Sequence, residues 1–273
     1  MRWPGPCPGP RVGRVTRPDD LWPSAGPWQP VTTGESGAAV FRSADGGRYA
    51  KSVTGAERSA LAGERDRVIW LAGQGIPGPR VLDWRDTDDG AVLVTSAVPG
   101  VPADQVGIGT LRAAWEAIAD AVRALHGLPL AGCPAGRDLR TMYRLARDVV
   151  ARGAVNPEFL SEEQRGTPPA ELLARLTPQL DHRLAQEADD AVVCHGDLTL
   201  PNILLDPDTA RVTGFIDLGR LGRADPYADL ALLFGTAREA GLDGAASFTR
   251  RYGIAHDPGR ERFYRHLDPL TWG

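Results

Sequence analysis

AVVCHGDLTLPNILLDPDTARVTGFIDLGR, residues 191–220, is the stretch on which the reading of the chain turns. An apolar run enters a polar loop, His195 to Asn202, and two short apolar segments follow, ILL at 203–205 and RVTGFI at 211–216. Between them stands Asp206-Pro207-Asp208-Thr209, a strong turn signal, so the segments should pair as antiparallel strands. In such a pair the start of the first strand lies beside the end of the second, which brings Asn202 and Asp217 together, with Asp197 in the loop next to both. Two carboxylates and an amide offer only oxygen donors, a poor set for a transition metal and a suitable one for Mg²⁺ shared with substrate phosphates. Phosphoryl transfer needs that arrangement. The structural alternative is that Asp197 and Asn202 only tie down loop backbone. His195, inside the loop, reads as a positioning residue.

Upstream, short apolar runs separated by turn residues predict strands of a mainly antiparallel sheet: 38–41, 48–53, 80–84 and 91–98. One helix is predicted among them, over 56–72, where Leu61, Glu64, Val68 and Leu71 fall on one face. A carboxylate on an apolar face needs a partner, and the nearest upstream cation on a predicted strand is Lys51. Of the 31 basic residues 30 are Arg, so Lys51 is the only lysine, as expected where a compact ammonium is required and a planar guanidinium is no substitute.

Downstream of Pro99-Gly100 the pattern is helical. Thr110–His126 repeats Leu111, Trp115, Ile118, Val122 and Leu125 and meets Gly127 as a stop signal. Further helices are predicted at 138–152, 169–176, 226–240, 244–252 and 259–267. The fold class is α+β: a small antiparallel β-sheet lobe with one helix, over 28–97, followed by a larger helical lobe over 98–273. Residues 1–27, with seven Pro and four Gly, read as an irregular extension.

Composition excludes several function classes. The net charge of -4 comes from 31 basic and 35 acidic residues that are interleaved, which argues against nucleic acid and against a polybasic membrane patch. Three Cys far apart make neither a disulfide framework nor a CxxC pair, and no apolar window reaches spanning length, so a cytoplasmic protein is expected, monomeric or weakly dimeric. The motifs HExxH, GxSxG and the Walker pattern are absent. His126, His182, His256 and His266 lack metal-ligand spacing and read as surface or helix-end residues.

HGDLTLPN (195–202) followed by IDLGRLGRADPYADLAL (216–232) resembles the catalytic and metal-binding segments of the aminoglycoside phosphotransferases, and most of all their 3′-phosphotransferase branch. The resemblance runs in order from about Trp28 to Asp268 and includes VTTGESGAAVFR, YAKSV, GERDRVIWL, GIPGPRVLDW and VTSAVPG. It implies a protein-kinase-like fold of two lobes joined at a hinge, with the helix over 56–72 bridging the lobes. It implies that Asp197 is the catalytic base, that Asn202 and Asp217 hold Mg²⁺, and that Lys51, fixed by Glu64, pairs with the phosphates of ATP or GTP. Ser36 would touch phosphate, and Ser96, Ala97 and Val98 would meet the base. For the amino-sugar acceptor it maps the acidic loop 156–163, with Glu158, Glu162 and Glu163, and the positions Arg220 and Glu239. Asp225, Asp229 and Asp268 would brace helices and the catalytic loop.

Two departures bear on the acceptor. The chain ends LDPLTWG, with Pro269 where a substrate-binding carboxylate is expected, and Ala240 follows Glu239 where an acidic residue is expected. The expected function is ATP-dependent, Mg²⁺-requiring phosphorylation of the 3′-hydroxyl of aminoglycosides, giving antibiotic resistance. The alternatives are a kinase of another small alcohol (a different antibiotic, a sugar or a choline-like metabolite) and a nucleotide-binding module without transferase activity.

Overall fold

A computed structural model describes residues 17, 18, 27–31 and 38–273. The described residues divide into two compact units, one made by the chain up to Arg65 together with Arg80–Ala97, the other by Asp66–Pro79 with Val98–Gly273. Nearly all of the expected N-terminal extension, and Ser36, lie outside the described residues.

The first unit is a five-stranded antiparallel sheet of β1 (Trp28–Val31), β2 (Ala39–Ser43), β3 (Arg48–Thr54), β4 (Val81–Thr87) and β5 (Gly90–Ser96), in the order β1-β2-β3-β5-β4. Alternation along the strands sorts its side chains between two faces. Trp28, Phe41, Ala50, Val92 and Val94 pack on one face, while Val53, Ala91 and Leu93 pack on the other against Leu61 of α1 (Arg58–Gly73). Lys51 lies opposite Leu93 and two residues before Val53, so the pleat sends it to the face that α1 covers. The β4–β5 hairpin needs its glycine: Gly90 stands across from Thr54, and a Cβ there would run into the Val53 carbonyl.

The second unit is built on helices α2 (Ile108–His126), α3 (Leu139–Ala151), α4 (Pro169–Leu176), α5 (Leu180–Asp190), α6 (Tyr227–Glu239), α7 (Ala245–Tyr252) and α8 (Pro258–Leu267). It also holds two small sheets. In one, β7 (Val192–Cys194) pairs antiparallel with β10 (Gly222–Ala224); in the other, β6 (Val101–Pro102), β8 (Ile203–Asp206) and β9 (Arg211–Phe215) lie in that order. The stripe read on α2 is buried throughout, from Leu111 and Trp115 to Leu125. α6 is buried almost all round, including Asp229, which marks it as the central core helix. No helix among the described residues is long and apolar enough to cross a membrane.

One helix, α5, has no counterpart among the predicted ones. Its buried residues are Arg183 and Glu187, so it has no apolar stripe for a periodicity reading to find. Glu187 is the reason α5 sits where it does. Its carboxylate accepts from Leu139 N at 2.9 and 3.0 Å and from Asp225 N at 3.2 Å, tying the start of α3 to the segment before α6. Burial, opposed by the Leu139 N–H and reinforced by the neighbouring Asp225 charge, pushes the Glu187 carboxyl up to about 7.

A carboxyl raised in the folded state stabilises the fold fully below its ordinary value of 4.5, and that contribution is lost as pH rises through about 7. Replacing Glu187 by Gln keeps an accepting oxygen without the charge. The variant is expected to gain on the order of 2 kcal/mol over the native chain between acidic and mildly basic pH, read as a difference in unfolding midpoints that widens from pH 5 to pH 8. A difference that does not change with pH would show that Glu187 does not titrate on folding.

Candidate active site

β7 delivers the chain into the loop 195–202, and β10 fixes the entry by pairing Gly222 with Cys194. The loop is held mainly through its backbone. Asp229 of α6 accepts from His195 N at 2.6 Å and from Gly196 N at 2.7 Å, and its Oδ2 also meets His126 Nε2 at 3.0 Å. Burial pushes the Asp229 carboxyl upward, but the His126 hydrogen bond and charge and the Gly196 N–H outweigh it and hold the group below the usual carboxylate range. Gly196 has φ +84°, and a Cβ there would strike the carbonyl of Arg220. Only glycine lets these two backbones approach.

The His195 ring sits inside the turn. Its Nδ1 accepts from Asp197 N at 3.3 Å, so Nε2 carries the proton and donates to the Ile216 carbonyl at 2.9 Å. The ring therefore links the loop to the end of β9, a positioning role. Asn202 closes the turn: its Nδ2 donates to the Asp197 carbonyl at 2.8 Å and to Asp197 Oδ2 at 3.1 Å. The β8–β9 hairpin pairs Ile203 with Phe215, and Ile216 N donates to the Asn202 carbonyl at 3.0 Å. Asn202 and Asp217 are thus brought to one end of the hairpin, as the turn signal at 206–209 implies. Asp217 is exposed and left-handed, with φ 58° and ψ 63°, a conformation that Asp tolerates better than most residues.

The donor set fits a hard divalent cation. Because the Asn202 nitrogen is spent on Asp197, its Oδ1 is the atom left for a ligand, and Asp217 adds an exposed carboxylate two residues past β9. Asp197 is largely buried, and burial together with the charges of Asp268 and Asp217 raises its carboxyl, against the opposing pull of His195 and Arg220. In the first unit Lys51 Nζ and Glu64 Oε2 meet at 2.8 Å, both partly buried, which is the pairing expected from the lone lysine and the acidic residue on an apolar helix face.

Several expected contacts differ. Arg220, expected at the acceptor, is held by the C-terminal turn. Its guanidinium lies 3.6 Å from the centre of the Trp272 ring and reaches Asp268 Oδ1 at 3.4 Å and Thr271 Oγ1 at 3.1 Å. Glu163 is paired with Arg262 at 3.1 Å and Arg265 at 3.5 Å, so among the described residues the unpaired charge the acidic loop presents is that of Glu158 and Glu162, both exposed. Glu239 is exposed at the end of α6, three residues past Thr236, whose Oγ1 accepts from Leu200 N at 3.2 Å. The N–H groups of Ser96 and Ala97 are committed to the carbonyls of Arg80 and Gly47, which leaves Val98 as the one of the three hinge residues with an uncommitted N–H among the described residues.

His126 is the last residue of α2, the helix-end half of the reading, and is not at the surface. It is 4% exposed, and its Nδ1 meets the Tyr252 hydroxyl at 2.7 Å. The signal lay in the spacing, since His126 continues the buried face of α2 four residues after Val122. The aspartates act as braces as expected: Asp225 caps α6 at Tyr227 N and pairs with Arg260, and Asp268 binds Arg137 at 2.8 Å.

Comparison with known proteins agrees with this geometry. The profile of the phosphotransferase enzyme family matches residues 27–264. The streptomycin 3″-kinase of Streptomyces griseus is 62% identical over 272 residues, covering 97% of this chain and 98% of its own. The aminoglycoside 3′-phosphotransferase of Streptomyces fradiae is 45% identical over 260 residues, covering 88% and 94%. Among solved structures, aminoglycoside phosphotransferase APH(3″)-Id from Streptomyces rimosus, in complex with ADP and streptomycin, superposes with a TM-score of 0.88 at 62% identity over 93% of this chain and 97% of its own. The fold is the protein-kinase-like fold of these enzymes, and the chain belongs to the phosphotransferase enzyme family, as an enzyme that transfers a phosphoryl group to a hydroxyl acceptor.

Proposed function

We propose that the protein is an ATP-dependent kinase of streptomycin-class aminoglycosides that phosphorylates the 3″-hydroxyl. The observation that carries the chemistry is the joined set Asp197, Asn202 and Asp217 at one end of the β8–β9 hairpin. The acceptor rests on the 62% identity to the streptomycin 3″-kinase across nearly the whole of both chains, against 45% to the 3′-phosphotransferase. The C-terminus supports the same choice over the 3′-hydroxyl. Pro269 is buried, and both oxygens of Asp268 are taken by Arg137, Arg220 and Trp272, so this turn offers no carboxylate to a kanamycin-type ammonium group.

In this reading Asp197 orients the acceptor hydroxyl and accepts its proton, while Asn202 Oδ1 and Asp217 hold Mg²⁺, which supplies charge neutralisation at the phosphates when bound. Lys51, braced by Glu64, binds nucleotide phosphate. Glu158, Glu162 and Glu239 supply negative charge that attracts a cationic sugar. Catalysis is positioning and charge stabilisation without a covalent enzyme intermediate.

Purified protein with Mg²⁺-ATP is expected to release ADP with streptomycin and to leave phosphate on its 3″-oxygen by NMR. Asp197→Asn should lower turnover on the order of 10²- to 10⁴-fold with nucleotide affinity retained. Turnover confined to compounds with a 3′-hydroxyl would overturn the acceptor assignment, and an active Asp197→Asn would remove the base.

Lys51→Arg keeps the charge and changes its shape. It is expected to lower kcat/KM for ATP about 10- to 100-fold, because a planar fork cannot sit where an ammonium meets Glu64 at 2.8 Å. Unchanged kinetics would show that only the charge matters.

A further inference from the structure

The last six residues of the chain do more than end it. Asp268, Thr271 and Trp272 together surround the Arg220 guanidinium: Nη1 to Asp268 Oδ1 at 3.4 Å, Nη2 to the Thr271 carbonyl at 3.4 Å and to Thr271 Oγ1 at 3.1 Å, with the indole ring face 3.6 Å away. Trp272 also fixes one of the other walls, because its Nε1 donates to Asp268 Oδ2 at 3.0 Å. Arg137 holds the remaining side of Asp268 at 2.8 Å.

Arg220 stands in the turn Leu218–Arg220 directly after Asp217, and its main chain lies against Gly196, the residue before Asp197. Arg220 and Asp268 act on the Asp197 carboxyl in opposite senses, the guanidinium lowering it and the Asp268 charge raising it. Asp268 is shared by two cations, Arg137 at 2.8 Å and Arg220 at 3.4 Å, and Arg220 is the one of the two in the turn that follows Asp217. A free arginine side chain samples many rotamers, and stacking on an indole with a fork of oxygen acceptors removes that freedom. Trp272 also meets the Phe159 ring in an edge arrangement, with centroids 5.7 Å apart, and Phe159 adjoins Glu158 in the acidic loop.

We propose that Trp272 is a positioning residue for phosphoryl transfer: it fixes the Arg220 side chain in the turn that packs against Gly196, next to Asp197 in the chain, and so makes the C-terminal turn part of the catalytic apparatus. The inference rests on the kinase reading above. It differs from a direct acceptor contact, which would act on acceptor binding alone, and from simple packing, which would act on stability alone.

Full-length Trp272→Leu and Trp272→Phe are compared with the native chain for kcat, for KM of ATP and of the acceptor, and for unfolding midpoint. Leu removes the ring and is expected to lower kcat about tenfold with KM for ATP within about twofold. Phe keeps an aromatic face and should recover most of kcat, to within about threefold of native. In an Arg220→Leu background, Trp272→Leu should add little, because the two residues act as one unit.

Native kcat in the Leu variant, a change confined to acceptor KM, or additive losses in the double variant would overturn the proposal. If Trp272→Leu does not fold, Trp272→Met, which keeps bulk without a ring face, takes its place and is read against the same outcomes. The native chain in the same assay tests the kinase reading separately. If it turns over a different alcohol, the variants are compared on that alcohol.

Discussion

The Asp229 carboxylate is the constraint on which the second unit depends. It is 0% exposed, and an ionised group so placed is tolerated only when its oxygens are filled. They are filled by two consecutive backbone N–H groups, of His195 and Gly196, and by His126 from α2. One buried charge therefore joins the core helix α6, the helix α2 and the loop that carries Asp197. His195 and Asn202 then pass that fixed position on to the end of the β8–β9 hairpin, where Asp217 stands. Buried networks of this kind favour one arrangement strongly, because any slip leaves a charge or a donor unpaired in a low dielectric.

The same logic of buried charge recurs around the site. Glu187 ties α3 to the segment before α6, Asp225 binds Arg260, and Asp268 binds Arg137 and Arg220. Each pair contributes less to net stability than its proximity suggests, since desolvation offsets much of the attraction. Their value is geometric. They join segments far apart in sequence, and one of them, Asp268, bears with Asp229 on the surroundings of Asp197.

Much of the fold was legible in the sequence because most elements bury apolar side chains at regular spacing. The stripe of α2, the apolar runs of β3 and β5 between turn residues and the turn at 206–209 each sufficed to place an element, and 169–176 is helical over those very residues. α5 was not legible, because its buried face is Arg183 and Glu187, and polar burial follows from partners supplied by distant segments. The short strands β6, β7 and β10 exist through pairing and leave little local pattern.

In the site, Asp197, Asn202 and Asp217 came from hairpin geometry, and the Lys51–Glu64 pair from the lone lysine and an acidic residue on an apolar face. The spacing after Val122 marks His126 as buried but not what it holds, and nothing local marks a tail tryptophan as a platform. The contacts that define them cross 103 residues in one case and link the C-terminus to residue 220 in the other.

The most direct test of this account is Asp229→Asn in the otherwise native chain. Asn has one accepting oxygen for two N–H donors, and its amide turns a donor towards the other. If Asp229 sets the catalytic loop, phosphoryl transfer should fall at least about 100-fold, corresponding to a lost buried charged hydrogen-bond set, while amide exchange accelerates at His195 and Gly196 and nucleotide affinity is retained. Near-native turnover, with the two amides still protected, would contradict it.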